Sequence, residues 1–373
     1  MTYTPLEISK TLADGIVDKL KFNELPLANR IWIYPNGLFM CGLQRLYELT
    51  GIEKYLSYTK EWADDKIDEN GEFYFKDMID ECGFRYFRQQ LDAIQPGLPY
   101  FKLYEIFGDE KYKNAIESVF QLLLTIPKTK EGAYWHVHSK PHQIWLDGLY
   151  MAEPFTMEYY KLTGKEECLD YVYKQIKLMT EHTLDKETGL LYHAWDESKE
   201  ADWADKETGL APEIWGRAMG WYAVALAEVL KIYPKEREEY DKIKDLLVNL
   251  LTAVVKYQDK SGLWYQVTNK PENEDNWLET SCSCLFLYAL SFGLRSGILD
   301  ERFEENANRA YEGVISMVKD TEQGTVLTGV CVGTNVGDYS NYVNAKTVDN
   351  DLHGTGAFLL AMAEYEMFLN RGR

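Results

Sequence analysis

The sequence predicts an all-α protein in which six helical hairpins close into a ring, an (α/α)6 barrel, with short β-hairpins in the loops at one end. Three observations lead to this prediction: an internal repeat of paired helices, a different hydrophobic pattern in the two helices of each pair, and strand-like segments between the pairs. Self-similarity at long spacing is typical of architectures in which each unit buries its apolar face against its neighbours.

The repeated unit consists of a small residue, an apolar helix, a short turn and a second, amphipathic helix. The first helix is apolar around most of its circumference, as expected for an inner helix, whereas the second has the one-sided i, i+3, i+4 pattern of an outer helix. Glycines in the turns LTGIEKY, FGDEKY and LTGKEE are expected to end the first helix. The six copies begin at Gly37, Gly97, Gly148, Gly220, Ser283 and Gly356.

An N-terminal helix at about residues 5–22 supplies the outer partner that the sixth unit lacks. With it the six pairs form a closed ring, and an open solenoid is the alternative. No Pro-rich linker or shift in composition divides the chain, so residues 1–373 are expected to form one domain. Strand-like segments that follow Asp/Gly turns are expected to cap one end of the ring as hairpins. They are DENGEFYF, TKEGAYWHVH, DKETGLLYHAWDE, DKSGLWYQV and DTEQGTVLTGV.

Composition and charge argue against several classes of function. The chain of 373 residues has 40 Lys and Arg against 60 Asp and Glu, a net charge of −20 that repels nucleic-acid phosphates and anionic membranes. Its six cysteines form no CxxC pair, which favours reduced thiols over a disulfide framework. The N-terminal segment is charged where a signal peptide is apolar, and no apolar run approaches the ~20 residues that span a bilayer. A cytoplasmic protein without nucleic-acid or membrane partners is therefore predicted.

The segments that precede the inner helices of such a ring share one rim, so residues far apart in sequence converge there. These segments carry acids, amides and aromatic rings, which together are typical of a carbohydrate-binding cleft. The rim residues, in chain order, are Arg30, Trp32, Tyr34, Asn36, Asp92, Gln95, Gln143, Trp145, Asp147, Trp215, Arg217, Trp221, Asn276, Trp277, Glu279, Asp351 and His353.

Each candidate at the rim also has a structural explanation. Asp92, Asp147 and Asp351 precede helices, where aspartate is a common cap. The apolar neighbours of Asp147 and a nearby Asp92 raise the pKa of its carboxyl group, while the helix dipole lowers it, and the sequence leaves the sum open. The tryptophans are equally good core residues. Arg217, between Trp215 and Trp221, is expected to be a fork for a carboxylate or a salt-bridge residue.

The histidines are weighed separately. His136, His138 and His142 could bind zinc from alternate positions of a strand, but no acidic or thiol partner completes a familiar ligand set. No metal or other cofactor is therefore predicted. His193, in YHAWDE, is expected to line the cleft as a hydrogen-bonding residue. Motifs of a nucleophile elbow, a Walker loop, a dinucleotide fold and a zincin are absent from the sequence.

Seven motifs, in order along the chain, resemble those of glycoside hydrolase family 105, the unsaturated rhamnogalacturonyl hydrolases. This family is related to the family 88 unsaturated glucuronyl hydrolases. The resemblance implies an (α/α)6 barrel, a cytoplasmic location, no metal, and a small substrate, the unsaturated disaccharides left by pectin lyases. The match runs in order from about residue 26 to 368, and its motifs are LDAIQPG, WLDGLYM, LYHAWDE, PEIWGRAMGWY, SGLWYQV, DNWLETSCSC and DLHGTGAF.

The resemblance also implies roles for residues. Asp147, in WLDG, is the acid/base that protonates C4 of a 4,5-unsaturated uronate before water adds at C5. Asp92, in LDAIQ, is the neighbouring carboxylate that orients the sugar and tunes the acid. His193, Arg217, Trp215, Trp221 and His136 resemble family substrate contacts, and Gln143, Trp145, Trp277 and His353 are further candidates for substrate binding at the rim.

Two departures from the family pattern leave the second sugar open. Val137 stands where rhamnogalacturonyl members carry a basic residue, and the long segment KDMIDECGFRYFRQQ adds Arg85 and Arg88 before Asp92. Several alternatives also stay open. They are an unsaturated glucuronyl hydrolase, a sugar 2-epimerase that uses His193 and His353, a sugar-binding protein without catalysis, and an inverting hydrolase whose two carboxylates stand about 6.5–9.5 Å apart. The oligomeric state is not predicted.

Overall fold

The computed structural model describes residues 4–26, 32–78, 87–322 and 324–372. Long helices dominate these ranges and follow one another as antiparallel pairs. They are α1 (Pro5–Val17), α2 (Tyr34–Thr50), α3 (Glu53–Asp64), α4 (Leu98–Phe107), α5 (Glu110–Thr125), α6 (Asp147–Thr163), α7 (Glu167–Thr183), α8 (Gly216–Ile232), α9 (Glu238–Val254), α10 (Thr280–Arg295) and α11 (Glu304–Ser316), then the short α12 (Tyr339–Val343) and α13 (Leu352–Leu369).

The helices form a closed double ring. The inner helices α2, α4, α6, α8, α10 and α13 pack side by side in that order, and α13 returns to pack on α2. The N-terminal helix α1 packs on α13 and so completes the sixth pair, although it ends at Val17 rather than near residue 22. The predicted (α/α)6 barrel is confirmed, and the open solenoid is excluded.

Burial distinguishes the inner from the outer helices, as the hydrophobic pattern predicted. In the inner helix α10 every residue from Thr280 to Leu294 is buried, whereas the outer helix α5 buries only one face. The glycines that were expected to end the first helices do so, since Gly51, Gly108 and Gly164 follow α2, α4 and α6 with φ angles of 68°, 64° and 70°.

Two of the small residues at the start of the repeats, Gly220 and Gly356, lie at crossings between neighbouring inner helices. α8 begins at Gly216, four residues before the expected Gly220. A Cβ atom at Gly220 would lie 2.8 Å from the Cβ of Leu285 on α10, and one at Gly356 of α13 would lie 2.7 Å from Cγ of Leu38 on α2. These glycines therefore let neighbouring inner helices approach closely, which is a different role from the one predicted.

Three two-stranded antiparallel sheets lie in the connections of the described ranges. The predicted local hairpin is present as β5 (Val318–Thr321) with β6 (Gly324–Leu327), and single antiparallel bridges close three further predicted hairpins, Ile67 with Phe73, Lys128 with Tyr134 and Leu184 with Leu191. The other two sheets join segments farther apart in sequence, because β2 (Ala194–Asp196) pairs with β1 (Gln143–Trp145) and β4 (Leu278–Glu279) pairs with β3 (Trp264–Tyr265). β1 and β4 run directly into α6 and α10, so these sheets tie separate loops to the starts of inner helices. No helix within the described ranges is both long and apolar enough to cross a bilayer.

Candidate active site

Backbone hydrogen bonds join the segments that precede the inner helices into one surface. The His136 N–H donates to the Gln143 carbonyl at 2.9 Å, and the Leu91 N–H donates to the His136 carbonyl at 2.9 Å. The Leu146 N–H donates to the His193 carbonyl at 3.0 Å. The predicted convergence at one rim is thus present for the segments that carry Asp92, Asp147 and His193.

Asp147 is the first residue of α6 and lies against His193. Its Oδ2 atom is 3.2 Å from Nε2 of His193, and the exposed fractions of the two side chains are 14% and 0%. Burial alone would raise the pKa of Asp147, but contact with His193, helped by His136 and Arg217, outweighs it, and the pKa is lowered. Burial also lowers the pKa of His193 more than Asp147 raises it. The pair is therefore a carboxylate and a neutral imidazole at neutral pH.

Asp92 carries the opposite shift. It lies in the 3-10 turn Leu91–Ala93 before α4, with Oδ1 3.6 Å from Nε2 of His136. Burial raises the pKa of Asp92, and the negative charge of Asp147 raises it further against the influence of His136. Asp92 is thus the carboxyl group that holds a proton more readily. The balance that the sequence left open for Asp147 is decided by His193, and the raised pKa belongs to its neighbour.

Gly148 lets the turn that carries Asp92 pack closely on the first turn of α6. A Cβ atom at this position would lie 2.6 Å from Cδ1 of Leu91 and 3.4 Å from Nδ1 of His136. Any other residue would therefore have to displace the Leu91 side chain, next to Asp92.

Aromatic rings surround the acidic pair. His136 stacks on Trp145 with ring centroids 4.4 Å apart and planes 12° apart, and the edge of Trp145 faces His193 at 5.6 Å. The Trp215 ring lies 4.7 Å from His193. Trp145 donates from Nε1 to Oε1 of Gln143 at 3.1 Å, which fixes its orientation. The predicted site residues in these segments thus form one continuous wall beside Asp147.

Arg217, on the first turn of α8, is directed at a loop. Its Nη1 and Nη2 atoms donate to the carbonyls of Cys331 and Val332 at 2.6 and 2.7 Å, and its guanidinium lies over the Trp215 ring at 4.5 Å. The fork predicted for a substrate carboxylate is therefore engaged with two carbonyls in this structure. Nε of Arg217 has no hydrogen-bond partner among the described residues.

His353, on the first turn of α13, continues this polar chain. Its Nε2 atom lies 2.7 Å from Nη1 of Arg217, and its Nδ1 atom lies 2.7 Å from Oδ1 of Asp351. Because a carboxylate can only accept, Nδ1–H donates to Asp351, whereas Nε2 lies between the Arg217 guanidinium, which donates, and the Cys331 carbonyl oxygen at 2.8 Å, which accepts. Asp351 also accepts from the His353 backbone N–H at 3.3 Å and caps α13. The cap explanation is correct for Asp351 but not for Asp147, which lies inside α6 after the N-cap Leu146.

Two predicted tryptophans lie farther from the acids. Trp221 is fully buried, stacks on Tyr150 at 4.6 Å and meets the edge of Tyr34 at 6.3 Å. Trp221 therefore lies below the rim, in contact with the inner helices α2 and α6. Trp277 donates from Nε1 to the Val343 carbonyl at 3.1 Å, so the structure gives it the role of holding a neighbouring loop.

Comparison with known proteins places this arrangement in a family. A sequence model described as Glycosyl Hydrolase Family 88 matches residues 9–369. The solved structure of a family 105 glycoside hydrolase from C. acetobutylicum ATCC 824 is 36% identical, covers 96% of this chain and 99% of its own, and has a TM-score of 0.88. The chain belongs to the family 88 and family 105 group of glycoside hydrolases. The predicted family is confirmed, and the protein is a glycoside hydrolase.

Two curated relatives of this chain are named by their activities. The unsaturated rhamnogalacturonyl hydrolase YesR of Bacillus subtilis (strain 168) is 26% identical over 314 residues, 83% of either chain. The unsaturated 3S-rhamnoglycuronyl hydrolase of Alteromonas sp. (strain LOR) is 24% identical over 348 residues, 90% of this chain and 77% of its own.

The remaining sequence predictions concern two arginines and the histidines weighed as zinc ligands. Arg30 and Arg85 lie outside the described residues. Two of the three histidines weighed as zinc ligands face different partners, since His136 faces Asp92 while Nδ1 of His142 lies 3.4 Å from Oε2 of Glu197. Within the described ranges, no three His, Cys, Asp or Glu side chains are grouped to hold a metal ion.

Tyr342 is the residue of the family 105 site that the sequence did not indicate. It lies on α12, is fully buried, and its hydroxyl group is 2.7 Å from Nδ1 of His193. The surrounding sequence, NYVNAKTVDN, has no motif or periodicity that singles out this tyrosine. Its contact with His193, 149 residues away, exists only in the folded ring.

Proposed function

We propose that this hydrolase removes a 4,5-unsaturated uronic acid, an unsaturated galacturonate, from the non-reducing end of a pectin-derived rhamnogalacturonan disaccharide. The observation that carries the proposal is the pair of acids in an aromatic cleft, with Asp147 3.2 Å from Nε2 of His193 and Asp92 3.6 Å from Nε2 of His136. The pKa of Asp92 is raised and that of Asp147 is lowered, so Asp92 takes up a proton more readily. Addition of water to a double bond needs a carboxyl group that gives a proton to carbon and then takes one back from water.

The chemistry follows from the enol ether in the substrate. A carboxylic acid donates its proton to C4, the electrons of the C4=C5 bond form the new C–H bond, and the ring oxygen stabilises the positive charge at C5. Water adds at C5 and gives its proton to the carboxylate, which restores the acid. The resulting hemiketal opens to a ketone at C5, the ring oxygen stays on C1, and C1 becomes an aldehyde as the second sugar leaves. No covalent bond to the enzyme is formed.

We assign the acid/base role to Asp147 and the orienting role to Asp92. Asp147 lies in the motif WLDG, which resembles the family's acid/base motif. The substrate carboxylate adds a negative charge to the cleft and displaces water, and both effects raise the pKa of Asp147 toward its protonated form. Contact with His193 keeps Asp147 a strong acid once it is protonated, which suits proton transfer to carbon.

The surrounding side chains fit a charged pyranose ring. The stacked His136 and Trp145 offer a flat face to a sugar. Lys140 places Nζ 4.5 Å from the centre of the Trp145 ring, three residues after Val137. Lys140 thus supplies a positive charge near position 137, where this chain has Val instead of the basic residue of rhamnogalacturonyl members. The Nε–H of Arg217 is a second donor for the substrate carboxylate.

The test compares three disaccharides: unsaturated galacturonyl-rhamnose, unsaturated glucuronyl-rhamnose and saturated galacturonyl-rhamnose. The ultraviolet absorbance of the conjugated uronate should disappear fastest with the first, more slowly with the second, and the third should stay intact. Faster turnover of the second would make the enzyme a glucuronyl hydrolase, and cleavage of the third would indicate an ordinary inverting hydrolase.

Solvent deuterium tests the mechanism independently of the preferred sugar. Hydration on the enzyme should place one deuterium at C4 in a single configuration, because the donor lies on one side of the ring. A mixture of both configurations would show that the ring opened in solution after ordinary hydrolysis, and it would refute hydration by Asp147.

A further inference from the structure

We propose that Tyr342 is a positioning residue for Asp147, because its hydroxyl group fixes the tautomer of His193 that presents Nε2–H to the carboxylate. The inference rests on the proposed function, in which Asp147 is the acid/base. It extends that function to α12, a helix between the last two inner helices that carries none of the family motifs.

The direction of each hydrogen bond follows from the partners of Tyr342. The Gly337 backbone N–H can only donate, and it reaches the Tyr342 oxygen at 3.3 Å. The same oxygen lies 2.7 Å from Nδ1 of His193. Burial raises the pKa of Tyr342 far above its ordinary value, so the phenol keeps its proton. Its single O–H is then left for Nδ1, since a buried hydroxyl without an acceptor is costly.

The acceptor role of Nδ1 determines where the imidazole proton lies. Neutral histidine carries one N–H, and if Nδ1 accepts, the proton is on Nε2. Nε2 is the atom 3.2 Å from Oδ2 of Asp147. Neither Nε2 nor Oδ2 has an aligned hydrogen bond with any described residue, and at 3.2 Å each is in close electrostatic contact with the other. The other tautomer would turn a nitrogen lone pair toward a carboxylate in a fully buried contact.

Tyr342 is held in place from several sides. Its carbonyl accepts from Nε2 of Gln266 at 3.1 Å, and the next carbonyl, of Val343, accepts from Nε1 of Trp277 at 3.1 Å. Its ring lies 5.7 Å from that of Trp215. Trp277 thus holds α12 in place, and α12 holds the Tyr342 hydroxyl group against His193. A hydroxyl group on such a support can select a tautomer, because it cannot rotate away.

The charged surroundings of the pair are known, so the effect of one hydroxyl group can be isolated. The groups whose charges act on His193 are Asp147, His136 and Arg217. Those whose charges act on Tyr342 are Asp147, Glu213 and Asp338. The substitution Tyr342→Phe leaves all of these charges in place and removes the donor to Nδ1, together with the acceptor of the Gly337 N–H.

The first test needs no variant. In protein labelled with 15N in the histidine rings, the His193 signal is assigned by its loss in His193→Gln. At neutral pH we expect a neutral ring with the proton on Nε2. A ring protonated on Nδ1, or a doubly protonated ring, would overturn the proposal even if the enzyme's substrate were different from the one proposed.

The second test compares Tyr342→Phe with Tyr339→Phe, the same change on the same short helix. Tyr339 donates to Oδ1 of Asp275 at 2.8 Å, away from the acids. Tyr342→Phe should mix the His193 tautomers and lower kcat about tenfold with little change in KM. The limb of the pH profile that reports Asp147 should move to higher pH, because a donor that lowers its pKa is lost part of the time.

Tyr339→Phe should leave the tautomer, kcat and the pH profile as they are. An unchanged tautomer and unchanged kcat in Tyr342→Phe would refute the positioning role. Failure of the enzyme on every unsaturated disaccharide would refute the proposed function alone, since the nitrogen spectrum reads the hydrogen bonds directly. If Tyr342→Phe does not fold, the spectrum of the unaltered protein still decides.

Discussion

The two ends of the barrel use buried carboxylates in different ways. At the rim where the inner helices begin, Asp92 and Asp147 face histidines. At the opposite end the inner helices surround a cavity of about 1000 Å³ whose charged lining residues belong mainly to ion pairs. There Glu364 is 1% exposed and lies 2.5 Å from Nε of Arg295 and 3.3 Å from Nζ of Lys231.

The two ends differ in the groups that contact each carboxylate. Burial raises the pKa of Glu364, but Lys231 and Arg295 outweigh it, and the pKa is lowered. Lysine and arginine stay charged at neutral pH, so this carboxylate has one state. The partner of Asp147 is a neutral imidazole, and its neighbour Asp92 has a raised pKa. Asp147 is therefore not held as a carboxylate by a fixed cation, and a bound substrate charge can raise its pKa toward the protonated form, whereas Glu364 stays paired with two cations.

The largest effect that separates the two ends is expected for Asp147→Asn. The amide has the shape of the carboxyl group but can neither give nor take the proton, so turnover should fall about 10³- to 10⁴-fold. Loss of the uronate absorbance gives the rate, and thermal unfolding shows that the fold is retained. Glu364→Gln is the matched control with near-normal turnover. An Asp147→Asn enzyme with more than a tenth of normal activity would remove Asp147 from the reaction.

The second largest effect is expected at Asp92, where a substitution should lower activity and raise stability. Asp92→Asn should lower turnover about 10²-fold, since the orienting carboxyl is lost. It should also stabilise the protein at neutral pH by about 0.5–2 kcal/mol, because a desolvated acid is replaced by a neutral group.

The pH dependence of that gain has a definite sign. The pKa of Asp92 is higher in the folded than in the unfolded chain, so its contribution to stability is full below the ordinary value near 3.8 and is lost as the pH rises through the folded value. The stability difference between Asp92→Asn and the unaltered protein should therefore be small at acid pH and grow toward neutral pH. A variant that is less stable than the unaltered protein at neutral pH would contradict the raised pKa.

The ring could be predicted from the sequence because its determinants are local. The contrast between the inner helix α10 and the outer helix α5 appears in the apolar spacing, and Gly51 or Gly164 marks a helix end within a few residues. The order of helices then leaves few ways to close, and a rim shared by the segments before the inner helices follows from that order.

The state of the site could not be predicted, because it depends on contacts between loops. Asp147 meets His193 only because β1 pairs with β2 with Trp145 opposite Ala194, and strands of three residues carry no periodicity that reveals their register. The same limit applies to Tyr342, whose partner is remote in sequence. Motif types therefore indicated which residues gather, whereas the tautomer and the proton positions depend on pairings that appear only in the folded chain.

The smallest effects are expected at the end opposite the acids, and they concern stability alone. Glu364→Gln leaves two partly exposed cationic groups without their shared buried anion. Removal of one partner of a fully buried pair costs about 3–5 kcal/mol, and since Arg295 and Lys231 are 30% and 18% exposed we expect about 1–3 kcal/mol. Denaturant unfolding measures this loss, with turnover unchanged.

The sign of the pH dependence at Glu364 is opposite to that at Asp92. The folded pKa of Glu364 is lowered, so its stabilisation is present above the ordinary value of 4.5 and is lost as the pH falls through the folded value. Asp170→Asn, which breaks an exposed pair with Arg237, should change stability by less than about 0.5 kcal/mol at any pH. If Glu364→Gln lowered turnover as well, the two ends would be coupled through the inner helices. Glu364 and the other acids paired with Lys or Arg at that end could then no longer be regarded as purely structural.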